Sequence, residues 1–266
     1  MEAAGITGTG REVLGRLRTA YPGPFTAAQA AETLEVDRSH VGRLLRNLAA
    51  QGWLTRVQRG VYAAVPVEAR DPAAWSVDPW AVAAVLFAPC YVGGWSALHH
   101  WDLTEQLFVS TVVVTARPVP RRERLVGAAR FELRHRPEAA LFGTRRAWRE
   151  GTAVNVSDPE RTLVDCLDDP ALGGGLRHTA GALDEWHRGD GSAPERLVDY
   201  ADRLGNRAVF KRLGYLCETL GLEDEALVAA CRARVSSGIS RLDPSRPDNG
   251  AITKRWNLRV NAAVDG

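Results

Sequence analysis

Apolar residues in the first fifty positions recur with a helical period. Val13, Leu14, Leu17 and Ala20 mark a helix over residues 9–21. The Tyr21-Pro22-Gly23-Pro24 run ends it, because proline cannot continue the helical ladder. Thr26 is a suitable N-cap for a second helix with Ala30, Ala31 and Leu34 on one side,. After the short turn Glu35-Val36-Asp37, a third helix is predicted over residues 38–51, capped by Asp37 or Ser39. Its apolar residues Val41, Leu44, Leu45 and Leu48 fall at i, i+3, i+4 and i+7 and form one stripe,. Ser39, Arg43, Arg46, Asn47 and Ala50 then project from the other side, and no acid lies among them. Gly52 ends the helix with a residue suited to the left-handed cap,. Two β-prone runs follow, residues 53–57 and 61–65, joined by Gln58-Arg59-Gly60. Gly60 can take the positive φ that a three-residue hairpin loop demands. Three helices and a hairpin in that order predict a winged helix-turn-helix.

Beyond residue 65 the pattern changes. Prolines and charges punctuate residues 69–79, which reads as a linker, with Asp78-Pro79 opening the next helix,. Helices are expected over 80–88 and 96–101, and strands over 106–116, 129–136 and 152–156,. Ser157 or Asp158 caps a further helix with Pro159 and Glu160 in its first turn,. Helical periodicity then dominates residues 176–187, 195–204, 207–220 and 224–235, and the tail is β-prone over 256–260. The expected fold class is α+β. A winged helix-turn-helix (1–68) and a linker (69–79) precede a larger mixed α+β domain with a helical subregion (80–266).

Composition narrows the class. The chain has 266 residues, 45% hydrophobic and 25% charged, which suits globular domains. No apolar run reaches membrane-span length and the N-terminus lacks a basic-then-apolar leader pattern, so a cytoplasmic protein without a membrane partner is expected. Cys90, Cys166, Cys217 and Cys231 are widely spaced and read as reduced, buried thiols. The net charge of +2 announces no nucleic-acid partner,. Basic residues are nevertheless thirty-two arginines against two lysines, Lys211 and Lys254. A GC-rich genome explains that number as readily as function does, so arginine placement is the informative part.

On the third helix the placement suits DNA. A major groove admits an α-helix, and arginine and asparagine match guanine and adenine edges. Ser39, Arg43, Arg46 and Asn47 are therefore the candidates for base reading. Arg59 at the hairpin tip is the candidate for a phosphate or minor-groove contact. The alternative is a winged helix used for protein contacts, with a solvated arginine face. A second cluster, Arg117, Arg121, Arg122, Arg124, Arg130, Arg134 and Arg136, lies within twenty residues. If Phe131 and Leu133 point one way, Arg130, Glu132, Arg134 and Arg136 share the other strand face. That face either extends the phosphate contacts or is simply solvated.

Catalytic patterns are weak. In Gly94-Trp95-Ser96-Ala97-Leu98 the second glycine of a nucleophile elbow is replaced by Leu98,. Adjacent His99 and His100 diverge on a helix and make a poor metal pair. Gly173-Gly174-Gly175 lacks the lysine and hydroxyl of a phosphate loop,. A nuclease Glu-x-Lys pair is missing, since Val209 and Ile252 stand two residues before the lysines. Asp165, Asp168 and Asp169 read as a helix and its terminus. Gly191-Ser192 with Asp199 and Asp202 has the wrong spacing for a nucleotidyltransferase. No cofactor, metal site or catalytic residue is assigned.

The stretch GWLTRVQRGVYAAVP (52–66) after a helix-turn-helix resembles the N-terminal domain of AbiEi-type antitoxins of type IV toxin–antitoxin systems. YVGGWSALHHWDLTEQ (91–106), VSDPERTLVDCL (156–167) and RWNLRVN (255–261) resemble that family's C-terminal region. The resemblance implies a repressor that binds inverted repeats in its own double-stranded promoter DNA. It also implies an antidote to a separately encoded nucleotidyltransferase toxin, acting through the C-terminal domain without a stable complex. The rival expectations are a metal-dependent nuclease targeted by its winged helix and a regulator that has no toxin.

Overall fold

A computed structural model of the chain describes residues 8–66, 69 and 75–264. The expected boundary at 68 and much of the linker therefore lie outside the described residues. α1 (Gly8–Ala20) buries Leu14 and Leu17. A two-residue strand β1 (Phe25–Thr26) leads directly into α2 (Ala27–Leu34). The Thr26 hydroxyl accepts from the Gln29 amide at 3.2 Å, and the Thr26 amide donates to Gln29 Oε1 at 2.8 Å. These reciprocal bonds satisfy two otherwise orphaned N–H groups. Glu35 holds the left-handed conformation that ends α2. α3 (Arg38–Ala50) follows, buries Val41, Leu45 and Leu48, and stops before Gly52 at φ 82°. β2 (Leu54–Gln58) and β3 (Val61–Ala64) form the hairpin, with Gly60 at φ 80°. The small sheet has the order β1-β3-β2. Phe25, Leu45, Leu54 and Tyr62 tie it to the three helices in one core. The winged helix-turn-helix is present.

α4 (Pro79–Leu86), capped by Asp78, leads into a six-stranded mixed sheet of order β6-β7-β5-β4-β9-β8. Its strands are β4 (Cys90–Val92), β5 (Ser110–Thr115), β6 (Glu123–Val126), β7 (Ala129–His135), β8 (Thr144–Arg149) and β9 (Thr152–Ser157). α5 (Gly94–His100) lies between β4 and β5. Three of these strands are absent from the periodicity reading. β4 is only three residues long. The edge strands β6 and β8 carry ERLV and TRRAWR, and charged edges show little apolar alternation.

The helical subregion comprises α6 (Pro159–Asp168), α7 (Leu176–Arg188), α8 (Pro194–Leu204), α9 (Arg207–Leu220) and α10 (Glu225–Arg232). Its core includes Leu163, Leu183, Phe210, Leu213 and Trp256. The tail forms a small sheet from β10 (Ser240–Arg241), β11 (Ala251–Thr253) and β12 (Leu258–Val260). α6 is buried almost all round and carries its own charges into the interior. Arg161 is 0% exposed and Asp165 1%. Arg161 Nε and Nη2 donate to Asp165 at 3.2 and 3.1 Å, and the Tyr91 hydroxyl donates to Asp165 Oδ2 at 2.7 Å. Glu160 accepts from Trp186 Nε1 and Arg196. Asp158 caps the helix and accepts from the Tyr200 hydroxyl at 2.9 Å.

The winged helix and the rest of the chain share buried contacts. Val61 and Ala63 of β3 are buried in one cluster with Ala81, Val82 and Phe87 of the α4 region and Val126, Phe131 and Leu133 of the sheet. Arg124 Nη2 donates to Gln58 Oε1 at 3.2 Å. At a second contact, a Cβ on Gly23 would meet Thr152 Oγ1 at 2.0 Å, and one on Gly151 would meet Pro22 at 2.4 Å. Only glycine permits these approaches. The winged helix is thus held at its wing and at its α1–β1 turn.

The four cysteines are free, Cys90 half-buried and the others buried. Burial pushes the Cys90 and Cys217 thiols up to about 12 and raises Cys166, Cys231 and the Tyr91 phenol as well. A folded-state pKa above the unfolded value favours the neutral group. The stability it contributes is complete below the unfolded pKa and is lost as pH rises. Unfolding free energy should therefore be insensitive to these groups up to about pH 8 and fall progressively above about pH 9. Urea titrations between those values and about pH 10.5 measure it. A flat profile would show that the thiols and phenol ionise in place.

Candidate nucleic-acid interface

Asp37 sets the start of α3. Its Oδ1 accepts from the Ser39 amide at 2.9 Å, the His40 amide at 2.8 Å and the Ser39 hydroxyl at 2.6 Å. The Ser39 hydroxyl, followed by the His40 amide, holds the Asp37 carboxyl below its usual range. Of the two expected caps, Asp37 is therefore the one used. Ser39 donates its proton inward and keeps only acceptor capacity for a ligand.

At 100° per residue, Ser39, Arg43, Arg46 and Ala50 cluster within about a sixth of a turn and Asn47 flanks them. All five are exposed. The buried stripe Val41, Leu45 and Leu48 faces the opposite way. Among the described residues, Arg43, Arg46 and Asn47 have no side-chain hydrogen bond or ion pair, so their donors are free. His40, absent from the candidates, is exposed on the first turn beside Asn47's side of the helix. Helical phasing alone could have found it.

Arg59 is exposed at the wing tip. The ladder shifts register between Arg56 and Gln58, a bulge that turns the tip relative to the strands. Arg56 is exposed on β2. Both arginines lack carboxylate partners among the described residues.

The seven-arginine cluster is divided by the fold. Phe131 and Leu133 are indeed buried, at 1% and 5% exposure, and Arg130, Glu132 and Arg134 take the other strand face. Arg134 pairs with Asp169 at 3.2 Å and Arg136 pairs with Asp168. Arg117 Nε donates to the Ala88 carbonyl at 2.6 Å. Arg124 lies 5.4 Å over the Phe87 ring besides its bond to Gln58. Glu132 faces Glu123 across the ladder. Its pKa is raised first by burial and then by that neighbour. Arg121, Arg122 and Arg130 remain exposed, and of these Arg122 acts on the Glu132 carboxylate. Arg130 stands directly across from Leu125, on the sheet face opposite to Arg124, so Arg124 is the member of the cluster that a contact ties to the wing.

The residues considered for catalysis have other employment. Ser96 Oγ accepts from the Val112 amide at 3.0 Å. His100 packs edge-on to Trp80 while His99 is exposed. Asp165, Asp168 and Asp169 are engaged by Arg161, Arg136 and Arg134. No group of three or more metal-ligating side chains occurs among the described residues, and no helix among them is long and apolar enough to cross a membrane.

The fold is a winged helix-turn-helix whose third helix turns Arg43, Arg46 and Asn47 outward, without side-chain partners among the described residues. Residues 16–65 match the family model described as a transcriptional regulator, AbiEi antitoxin. The likeness expected from the wing motif therefore holds over residues 16–65. The whole chain is also similar to the crystal structure of the RV2827C protein from Mycobacterium tuberculosis. That match has a TM-score of 0.62 and 18% identity, and covers 96% of this chain and 92% of that one. At that identity the likeness is one of fold. No curated relative matches the chain.

Proposed function

We propose that the chain is a sequence-specific operator-binding repressor, with α3 reading bases in the major groove and the wing holding the adjacent backbone. The observation that carries this is the exposed, acid-free and partner-free face of Arg43, Arg46 and Asn47. Arginine matches guanine O6 and N7, and asparagine matches adenine N6 and N7. Ser39 supplies an acceptor at the helix start. Arg59 contacts phosphate, with Arg124 as an accessory backbone contact beside it and Arg130 a further candidate on the other sheet face. Of the remaining cluster, Arg121 and Arg122 are exposed and add charge, while Arg117, Arg134 and Arg136 serve the fold. Inverted repeats in promoter DNA fit two copies reading related half-sites.

The family likeness of residues 16–65 supports the wider role. In this reading the chain represses its own promoter from the cytoplasm and opposes a nucleotidyltransferase toxin without forming a stable complex. Residues 80–266 carry the antidote activity, and no catalysis is assigned. The engagement of Asp165, Asp168 and Asp169 by arginines supports the non-catalytic reading over a nuclease. A genome without a neighbouring nucleotidyltransferase gene would leave operator reading in place and remove the antidote role.

Operator titrations at several salt concentrations test the interface. Arg43→Ala should weaken operator binding by about 1–3 kcal/mol and relax specificity at one position. Arg59→Ala should weaken many sequences alike and flatten the salt slope by about one unit. Unchanged affinity and specificity in folded Arg43→Ala protein would remove α3 as the reader.

A further inference from the structure

We infer that the β8–β9 edge of the second domain is a separate binding site for single-stranded nucleic acid. This inference does not rest on operator reading by α3. Strand β8 carries Arg145, Arg146, Trp148 and Arg149, and its outer backbone edge is unpaired, since it ends the six-stranded sheet. Trp148 is 68% exposed. Its cross-strand neighbour is Ala153, and that of Arg146 is Asn155. Both neighbours are exposed, and Ala153 is too small to cover an indole. A large flat aromatic surface therefore stands on an uncovered sheet face with a guanidinium two residues away on the same side.

The two other arginines occupy the reverse face in an unusual way. Arg149 lies 4.6 Å over the Trp80 ring and Arg145 lies 5.4 Å over the Trp101 ring. Aromatic faces orient these guanidiniums without neutralising them. None of the three β8 arginines has a carboxylate partner among the described residues. By contrast, eleven ion pairs engage carboxylates elsewhere among those residues. The Trp148 face thus combines a stacking platform with the uncompensated Arg146, and Arg145 and Arg149 add positive charge from the reverse face. That is the chemistry that recognises a single strand, with a base on the aromatic ring and a neighbouring phosphate on Arg146. Asn155 adds an amide beside the stacked position. A duplex keeps its bases stacked on each other and cannot use Trp148.

The test uses the full chain and a fluorescein-labelled oligothymidylate and oligouridylate of about 12 nucleotides, a length within known single-strand site sizes. Anisotropy at about 50 mM salt should show binding that falls as salt rises. Trp148→Ala should weaken it by roughly 5- to 100-fold, and Trp148→Phe should retain most of it. Arg146→Ala should weaken it and flatten the salt slope. Trp148 and Arg146 are exposed, so both variants should keep the wild-type Tm, and operator affinity should be unchanged by Trp148→Ala. Absence of binding, or binding insensitive to both substitutions, would overturn the site. Complete displacement by unlabelled operator duplex would place the oligonucleotide on the winged helix instead. Equal competition by polyglutamate would point to an acidic peptide.

Discussion

Asp165→Ala is expected to destabilise the chain by about 3–5 kcal/mol. The reason is where its partner is left. Arg161 is completely buried, flanked by the Phe142 ring at 4.1 Å and the Tyr91 ring at 5.6 Å. Its Nη1 already has no hydrogen-bond acceptor. The pairing with Asp165 is what makes a charge at this depth tolerable. Burial works against the Arg161 cation, and the Asp165 carboxylate and the Tyr91 hydroxyl together more than offset it, so the guanidinium pKa is raised. Removing the carboxylate strands a cation and the Tyr91 hydroxyl in the same low-dielectric space. Removing both charges is a different matter, because the interior then keeps neither desolvation cost. A double variant, Arg161→Met with Asp165→Leu, should regain most of the loss. Urea unfolding of the two variants and the parent gives the comparison. A loss under about 1 kcal/mol for Asp165→Ala would mean that water reaches Arg161 and that the pair is a surface-type contact.

This pair also shows what the sequence can and cannot reveal. The cap of α6 is visible in Asp158-Pro159-Glu160, because caps act over three residues. The role of Arg161 is not, since its partners Tyr91 and Phe142 come from other parts of the chain. The motif VSDPERTLVDCL is largely this buried polar network. In the winged helix, by contrast, nearly every element was legible. Its helices, caps and hairpin are set by local rules, and Thr26, Gly52 and Gly60 take the conformations that their types favour. Strand β8 escaped detection because TRRAWR has no apolar alternation to read. Its partner β9 shows it only once the two are paired. The arginines of residues 117–136 were legible as a cluster, but not as three groups. Only the fold reveals that Asp168 and Asp169 answer Arg136 and Arg134, and that Arg124 reaches the wing.

Residues 1–68 produced alone should be less stable than the same residues in the full chain by about 3–5 kcal/mol. Val61 is 4% exposed and Ala63 1%, and both lie in the core shared with α4 and the six-stranded sheet. Half-buried Val57 packs against that core too. Cutting the chain after residue 68 returns these side chains to water. Burial of one valine contributes about 1.5–3 kcal/mol. A domain of this size also buries a limited share of its surface and has little stability to lose. The core formed by Phe25, Leu45, Leu54 and Tyr62 is internal to the fragment, so the helix-turn-helix topology itself does not need the second domain. Substituting Val61→Thr and Val57→Thr should raise the fragment's solubility with little further loss of its fold. The same pair in the full chain should lower the Tm, because there it places hydroxyls in a buried interface. If α3 reads the operator, the folded fraction of the fragment keeps its sequence preference. It binds with a smaller salt slope, because Arg124 is missing from beside the wing. If the antidote activity belongs to residues 80–266, the fragment fails to rescue cells from the cognate toxin. Chemical unfolding, operator titration and co-expression with the toxin separate these outcomes. A fragment as stable as the intact winged helix would show that the shared core contributes nothing to it. Rescue by the fragment would move the antidote activity to the winged helix.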